Sequence, residues 1–231
     1  MWQASDWQGA LAQPRKAVLG SVPAEWTPRS WFGTAHVATN QIGPSCVGMA
    51  VANWVEHKLG SRLDKRTQID GYAIWRRGRD MFWNGTYNDG LYLYQGVAAA
   101  VSLGILPKTA KYREVLSATA WNADLEKQPL IQAHWVHDGW NKPDTASGCI
   151  DHQYGPSNNQ GGHCTLMIGM GLHSGKNFVF SQNSWGATWG RLGFFCMTVE
   201  EHVENSASDV LAIDIPDGEW EAWTGWKNYV T

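Results

Sequence analysis

Residues 181–193 read SQNSWGATWGRLG and contain the most specific pattern in the chain. The pattern consists of Asn183, Ser184, Trp185 and Gly186, followed at fixed spacing by Trp189, Gly190 and Gly193. Taken alone, Asn183 would be a turn residue and the tryptophans would be core residues. The stretch gains meaning from two further blocks that precede it in the chain.

The second block is 161–171, GGHCTLMIGMG, in which His163 precedes an apolar run. A histidine in front of a strand is more often a hydrogen-bonded structural residue than a catalytic one. Its glycine lead, Gly161 and Gly162, and its order relative to the other blocks favour the catalytic interpretation.

The third block is 40–51, NQIGPSCVGMAV, where Cys46 opens a predicted helix over 46–59, with Ser45 as its N-cap and Gly60 as its stop. Free N–H groups and the helix dipole at that position are expected to lower the pKa of the thiol. Without other evidence, a free cysteine is more often a small buried hydrophobic residue.

Together the three blocks resemble the papain-like cysteine peptidase family, whose Gln...Ser-Cys, Gly-His and Asn-Ser-Trp-Gly-x-x-Trp-Gly-x-x-Gly signatures they match in order. The resemblance implies that Cys46 is the nucleophile and His163 its general base and acid. It also implies that Asn183 orients the imidazole and that Gln41 donates a hydrogen bond to the oxyanion.

The same resemblance assigns Trp185 as a shield over the Asn183–His163 hydrogen bond. It makes Gly90, Gly162 and Trp185 the candidate substrate-binding residues, and it implies no cofactor and no metal. Two departures affect the oxyanion site and the loops. Gln41 lies five residues before Cys46, one fewer than is usual, with Pro44 in that loop, and His163 follows Cys46 by 117 residues.

Periodicity predicts helices over 46–59, 67–79 and 93–103 in the first half of the chain. After about Pro129, short apolar runs separated by Gly and Asn predict strands at 130–136, 164–170, 177–181, 192–197 and 210–215. A helical half followed by a strand half is an α+β pattern, and it predicts two lobes with a groove between them.

With the resemblance, this pattern implies a papain-like two-lobe fold with an active-site cleft between a helical lobe, about 22–128, and an antiparallel β-barrel-like lobe, about 129–231. Residues 1–21 are expected to be an N-terminal extension to this single catalytic domain. Similarity to the family extends more weakly over about 22–214.

Composition argues against two classes of partner. The net charge of about −3, with scattered Lys and Arg apart from Arg76, Arg77 and Arg79, does not favour nucleic acid. No segment has the continuous apolar length of a membrane helix, so we expect no membrane partner.

The four cysteines predict a reducing environment. If Cys46 is catalytic, Cys149, Cys164 and Cys196 remain, and an odd number does not suggest a disulfide framework. The N-terminal 20 residues lack the apolar stretch of a secretory signal, so a cytoplasmic location is expected.

Two clusters have a superficial resemblance to metal sites. His134 and His137 are followed by Asp138, but positions i and i+3 on a strand point to opposite faces. The 149–152 segment with Cys164 lacks a second cluster at zinc spacing. We therefore expect no metal.

The sequence thus predicts a cysteine endopeptidase that acts on peptide or protein substrates through an acyl-enzyme. The alternative is a catalytically silent papain-like scaffold in a larger assembly, and an inhibitor or assembly partner remains unidentified. Hydrolysis and transpeptidation share the same acyl intermediate, so the sequence leaves both open.

Overall fold

The computed structural model of the protein describes residues 39–63, 67–82, 90–144, 147–150, 160–173, 175–206 and 210–231. The predicted N-terminal extension and residues 22–38 of the expected catalytic domain lie outside these ranges. None of the described helices is long and apolar enough to cross a membrane.

Three helices form the first layer: α1 (Cys46–Leu63), α2 (Gly71–Phe82) and α3 (Leu93–Leu103). They pack closely because glycine lies at their contacts. A Cβ on Gly48 of α1 would clash with the carbonyl oxygen of Gly71 at the start of α2. Between this layer and the sheet lies the largest hydrophobic cluster, which includes Val51 and Trp54 of α1.

The second layer is a six-stranded antiparallel sheet in the order β1-β6-β2-β3-β4-β5. Its strands are β1 (Lys111–Val115), β2 (Leu130–Val136), β3 (Gly161–His173), β4 (Lys176–Gln182), β5 (Phe194–Thr198) and β6 (Val210–Asp214). Short helices α4 (Ala118–Leu125), α5 (Val199–Glu204) and α6 (Glu219–Ala222) and 3-10 turns at Asp138–Asn141 and Gly225–Tyr229 complete the described fold. The expected α+β class is confirmed.

Several element boundaries differ from the prediction for local reasons. Helix α2 begins at Gly71 and not at residue 67, because the Asp70 carboxylate accepts the N–H of Ala73 as a cap, while Ile69 forms a bridge with Val230. Helix α1 passes through Gly60, which does not adopt a left-handed conformation. Strand β5 starts at Phe194 because Leu192 and Gly193 have positive φ angles, 58° and 87°.

The division of the chain at residues 128 and 129 does not separate the two layers. Strand β1 precedes that point, yet it pairs with β6 throughout its length. At the other end, Trp220 and Trp226 pack in the helical cluster, and the N–H of Thr231 donates to the carbonyl of Gln68. The C-terminal segment therefore returns to the helical layer.

The expectation that the remaining cysteines do not build disulfides is wrong for Cys149 and Cys196. They form a disulfide across a sequence separation of 47 residues, next to backbone hydrogen bonds that run from Ile150 to Cys196 and from Cys196 to Gly148. Cys46 and Cys164 are the two free cysteines. The three cysteines other than Cys46 are therefore one disulfide pair and one free thiol, which explains their odd number. The cysteine argument for a reducing compartment fails, and cytoplasmic location stays a prediction.

We expect the disulfide to contribute about 4 kcal/mol to the free energy of unfolding, since it closes a long loop in the unfolded chain. Urea unfolding of Cys149→Ala/Cys196→Ala beside the wild type measures this difference. Equal unfolding free energies for the two proteins would contradict the estimate, and wild type treated with a reductant should behave like the double variant.

Candidate active site

A cleft of about 470 Å³ lies at the edge between the helices and the sheet. Among the residues that line it are Cys46 from α1 and His163 from β3, together with Gln41, Gly90, Gly162 and Trp185. The lining also includes the apolar residues Leu91 and Leu93, which follow Gly90, and Ala133 and Val136 of β2. Six of the seven site residues proposed from sequence therefore line one cavity, and Asn183 lies directly behind it.

Cys46 is the first residue of α1 and is almost fully buried. The hydroxyl of Ser45 is buried and makes no hydrogen bond within the described part of the chain, so the predicted side-chain cap is not formed. Its carbonyl still accepts the N–H of Met49. The uncapped helix start leaves the backbone N–H groups of Cys46 and Val47 to point at the thiol, where Cys164 adds a third.

His163 is held by Asn183. Its Nε2 lies 2.7 Å from Oδ1 of Asn183, which also accepts the N–H of Ser184 at 2.7 Å. Because Oδ1 can only accept, Nε2 carries the proton in the neutral ring, and the lone pair belongs to Nδ1. The neutral imidazole is therefore fixed as the tautomer in which Nδ1 can act as a base.

Asn183 is positioned from both layers. It follows the last residue of β4, Gln182, whose side-chain oxygen lies 2.7 Å from Nε2 of His57 in α1. The N–H of Asn183 donates to the carbonyl of Gly193 in the following turn. The helix that carries Cys46 and the strand end that carries Asn183 are thus joined by a buried polar contact.

Aromatic rings enclose the His163–Asn183 pair. Trp185 stacks on the imidazole with a centroid distance of 4.5 Å and an interplanar angle of 30°. Trp140, which is fully buried, meets the same imidazole edge-on at 5.8 Å and 90°. Both rings pack against the imidazole, and Trp185 lies where the predicted shield over the hydrogen bond would stand.

Burial determines the protonation of the resting pair. It raises the pKa of the Cys46 thiol despite the three N–H donors, and it lowers the pKa of His163 to about 4 despite the Asn183 hydrogen bond. The lowered thiol pKa expected from the helix terminus is therefore wrong, because burial outweighs the N–H donors. The resting site holds a neutral thiol and a neutral imidazole.

Gln41 is held at the cleft by Ser184. The N–H of Gln41 donates to the carbonyl of Ser184 at 2.7 Å, and the Ser184 hydroxyl donates to Oε1 of Gln41 at 2.7 Å. One N–H of the Gln41 amide reaches the carbonyl of Gly43, which leaves the other for a ligand in the cleft. The shortened loop thus still brings Gln41 to the site.

Sequence reasoning missed three residues here. Ser184 stood inside the quoted pattern but received no role, although a serine after the orienting asparagine is a candidate polar anchor. Trp140 carries no local signal, because its contact with His163 depends on how the 3-10 turn packs on the sheet. Cys164 received no role in the site from the sequence, yet it lines the cleft beside His163.

The histidines once considered as metal ligands have other contacts. His134 Nε2 lies 3.1 Å from the Thr165 hydroxyl, and His137 Nε2 lies 3.4 Å from a Glu201 carboxylate oxygen. Within the described ranges, no group of three His, Cys, Asp or Glu side chains is arranged to hold a metal ion.

Comparison with known proteins supports the resemblance. A family model described as papain family cysteine protease matches residues 104–212. Chymopapain of Carica papaya is 30% identical over 119 residues, which are 48% of this chain and 32% of chymopapain. The match therefore spans about a third of the length of that relative.

Solved structures extend the likeness over most of the chain. The bromelain protease of Ananas comosus, in complex with the E64 inhibitor, gives a TM-score of 0.63 at 19% identity, covering 84% of this chain and 100% of bromelain. Xylellain, a cysteine protease of Xylella fastidiosa, gives 0.62 at 16% identity, covering 88% and 98%. The chain has the papain-like fold, and its resemblance to the papain family of cysteine proteases is confirmed.

We expect Gln41→Ala to lower kcat on a peptide substrate by about 10² to 10³-fold with little change in KM, because its amide would serve the transition state. Ser184→Ala keeps the amide but loses its anchor, so a smaller loss is expected. Gln68→Ala, an exposed glutamine outside the cleft, is the matched control. Equal kcat for Gln41→Ala and Gln68→Ala would remove Gln41 from the oxyanion site.

Proposed function

We propose that this protein is a cysteine endopeptidase that hydrolyses peptide bonds through a thioester acyl-enzyme. The observation that carries the proposal is the meeting of Cys46 and His163 in one cleft, with the imidazole fixed by Asn183 at 2.7 Å and covered by Trp185. Nucleophile, base and orienting amide come from α1, β3 and the end of β4, so the fold itself assembles the set.

In the first half-reaction, Nδ1 of His163 takes the thiol proton as the Cys46 sulfur attacks the peptide carbonyl. Because both groups are neutral at rest, proton transfer accompanies attack. The oxyanion receives hydrogen bonds from the free Gln41 amide N–H and the backbone N–H of Cys46. His163 then returns the proton to the leaving amine, and the thioester forms.

In the second half-reaction, His163 removes a proton from water, and the hydroxide attacks the thioester carbonyl. Collapse of that intermediate releases the carboxylic acid and restores the thiol. Asn183 holds the imidazole in the same orientation through both halves, because its Oδ1 contacts the nitrogen that keeps its proton. An amine in place of water would give transpeptidation by the same steps.

The proposed substrates are peptides and unfolded proteins. Leu91, Leu93 and Val136 give the cleft an apolar lining for substrate side chains, and Gly162, next to His163, lines the same cleft. The E64 complex of bromelain shows a ligand on that relative, and we propose that peptide-like inhibitors occupy the cleft of this protein.

Incubation with a denatured protein, followed by sequencing of new amino termini, tests the proposal. Wild type should produce internal cuts that Cys46→Ala does not. A wild type that binds the substrate in its cleft but never cuts it would favour the silent scaffold. Products joined to an added amine would assign the transpeptidase reaction.

A further inference from the structure

Cys164 is a second thiol in the same cleft and has no part in the reaction above. It follows His163 directly and is almost fully buried. In the part of the chain that the structure describes, Cys46 and Cys164 are the only cysteines outside the disulfide. A thiol beside the nucleophile can trap an oxidised form of it.

The packing brings the two residues together. Cys164, Leu166 and Ile168 alternate along β3 and pack in one hydrophobic cluster with Cys46 and Val47 of α1. In addition, the backbone N–H of Cys164 lies close enough to the Cys46 thiol to favour the thiolate. The Cys46 thiol therefore neighbours the backbone of the residue that bears the second thiol, and both residues line the cleft.

The hydrogen-bond contact of the Cys164 thiol is weak. Its contact with the carbonyl of Thr165 is 4.0 Å long, the outer limit for a bond from a weak donor. A rotation about the Cα–Cβ bond moves its sulfur without displacing β3, which is fixed by pairing with β2 and β4. We therefore expect the two sulfurs to approach each other by side-chain rotation.

We propose that Cys46 and Cys164 form a reversible disulfide when hydrogen peroxide oxidises the nucleophile, so that Cys164 acts as the resolving cysteine of this site. The proposal rests on Cys46 being the activated nucleophile of the proposed function. It adds an oxidative modification site that protects Cys46 from irreversible oxidation.

The steps balance with peroxide as the oxidant. The Cys46 sulfur, deprotonated by His163, attacks one peroxide oxygen, so that an S–O bond forms, the O–O bond breaks and the departing hydroxide takes the proton as water. The Cys164 sulfur then attacks the sulfenic sulfur. An S–S bond forms, the S–O bond breaks and hydroxide leaves with the thiol proton as a second water.

The order of attack follows from the surroundings. Burial, and then the neighbouring Cys46, raise the pKa of the Cys164 thiol well above its usual value, so Cys164 stays protonated and is a poor first target. Cys46 is the thiol that the proposed mechanism pairs with the base His163, and both residues line the cleft. Peroxide is therefore expected to react at Cys46 first.

Stepwise peroxide treatment, followed by peptide mapping without reduction, tests the inference. Wild type should give a peptide pair linking Cys46 to Cys164 and a protein lighter by two hydrogen atoms. After dithiothreitol, labelling of Cys46 by a peptidyl epoxide should return. Cys164→Ala should instead collect oxygen atoms on Cys46. The fraction of Cys46 labelling that dithiothreitol does not restore should be at least about tenfold larger in this variant than in wild type.

Cys46→Ala is the matched control, because Cys164 alone should survive the same peroxide as a thiol. Unfolding curves of both variants check that they are folded. The inference is overturned if Cys46 is overoxidised equally in wild type and Cys164→Ala, or if Cys46 resists peroxide. Epoxide labelling before oxidation reports the proposed function separately, so a failure of that function is seen on its own.

Discussion

Cys46→Ala is expected to lower kcat/KM on peptide substrates by about 10⁴-fold or more while leaving the unfolding curve near that of the wild type. The reason is that no other thiol can form the acyl-enzyme in the same geometry. Cys164 lines the cleft but belongs to the strand behind it and has a pKa raised well above its usual value. Steady-state kinetics with a peptide substrate measure the loss.

His163→Ala should cost about as much as Cys46→Ala, and the double variant should lose no further activity, because the two residues act as one unit. Asn183→Ala should cost less, since the imidazole remains and loses only its orientation. Losses that multiply in the double variant would show that Cys46 and His163 act independently, contrary to the proposed mechanism.

Acid is expected to unfold the protein at moderately low pH, because three buried histidines are held neutral. Burial lowers the pKa of His163 to about 4 and that of His202 to about 3, and it lowers the pKa of His134 well below its usual value. In the unfolded chain each titrates near 6.5. The contribution of these histidines to the free energy of unfolding is therefore complete above about pH 6.5. It decreases as pH falls from there towards their pKa values in the folded protein.

The expected slope is about 1.4 kcal/mol per pH unit for each histidine below pH 6.5. Glu56 opposes this trend. Burial raises the pKa of its carboxyl group to about 8, so its contribution grows as pH falls from 8 towards its unfolded value. Because three histidines outweigh one carboxyl group, the free energy of unfolding decreases on balance as pH falls below about 6.5. We expect the midpoint of acid unfolding on the order of pH 4 to 5.

Two variants separate the contributions in urea unfolding between pH 4.5 and 7.5. His202→Leu removes a ring whose two nitrogens have no hydrogen-bond partner within the described ranges. The slope of the unfolding free energy against pH should therefore flatten by the equivalent of one bound proton. Glu56→Gln removes the opposing group, so the slope should steepen by one proton. A free energy of unfolding that is flat across this range in wild type would contradict the account.

Local patterns predicted the elements that position the site. Helix α3 and strand β2 have the predicted bounds, and the start of α1 at Cys46 follows from the apolar spacing after it. These elements are decided by residues close in sequence. Strand β1 was not predicted, because its face is exposed except at Val115, and it becomes a strand by pairing with β6.

The errors concern long-range contacts. Cys149 and Cys196 meet because the segment at 148–150 pairs with β5, and no local pattern carries that information. The predicted lowering of the Cys46 pKa was wrong for a similar reason. The helix terminus is visible in the sequence, whereas the burial that raises the pKa depends on how β3 covers the cleft. The roles of Ser184 and Trp140 depend on tertiary packing in the same way.

The most direct test of the central claim is labelling by a peptidyl epoxide, with mass spectrometry to find which cysteine reacts. If Cys46 and His163 form a working pair, Cys46 should react rapidly and alone, with the rate lost in His163→Ala and reduced in Asn183→Ala. Slow labelling that is shared between Cys46 and Cys164 and is indifferent to His163→Ala would contradict the assignment of this cleft as a thiol peptidase centre.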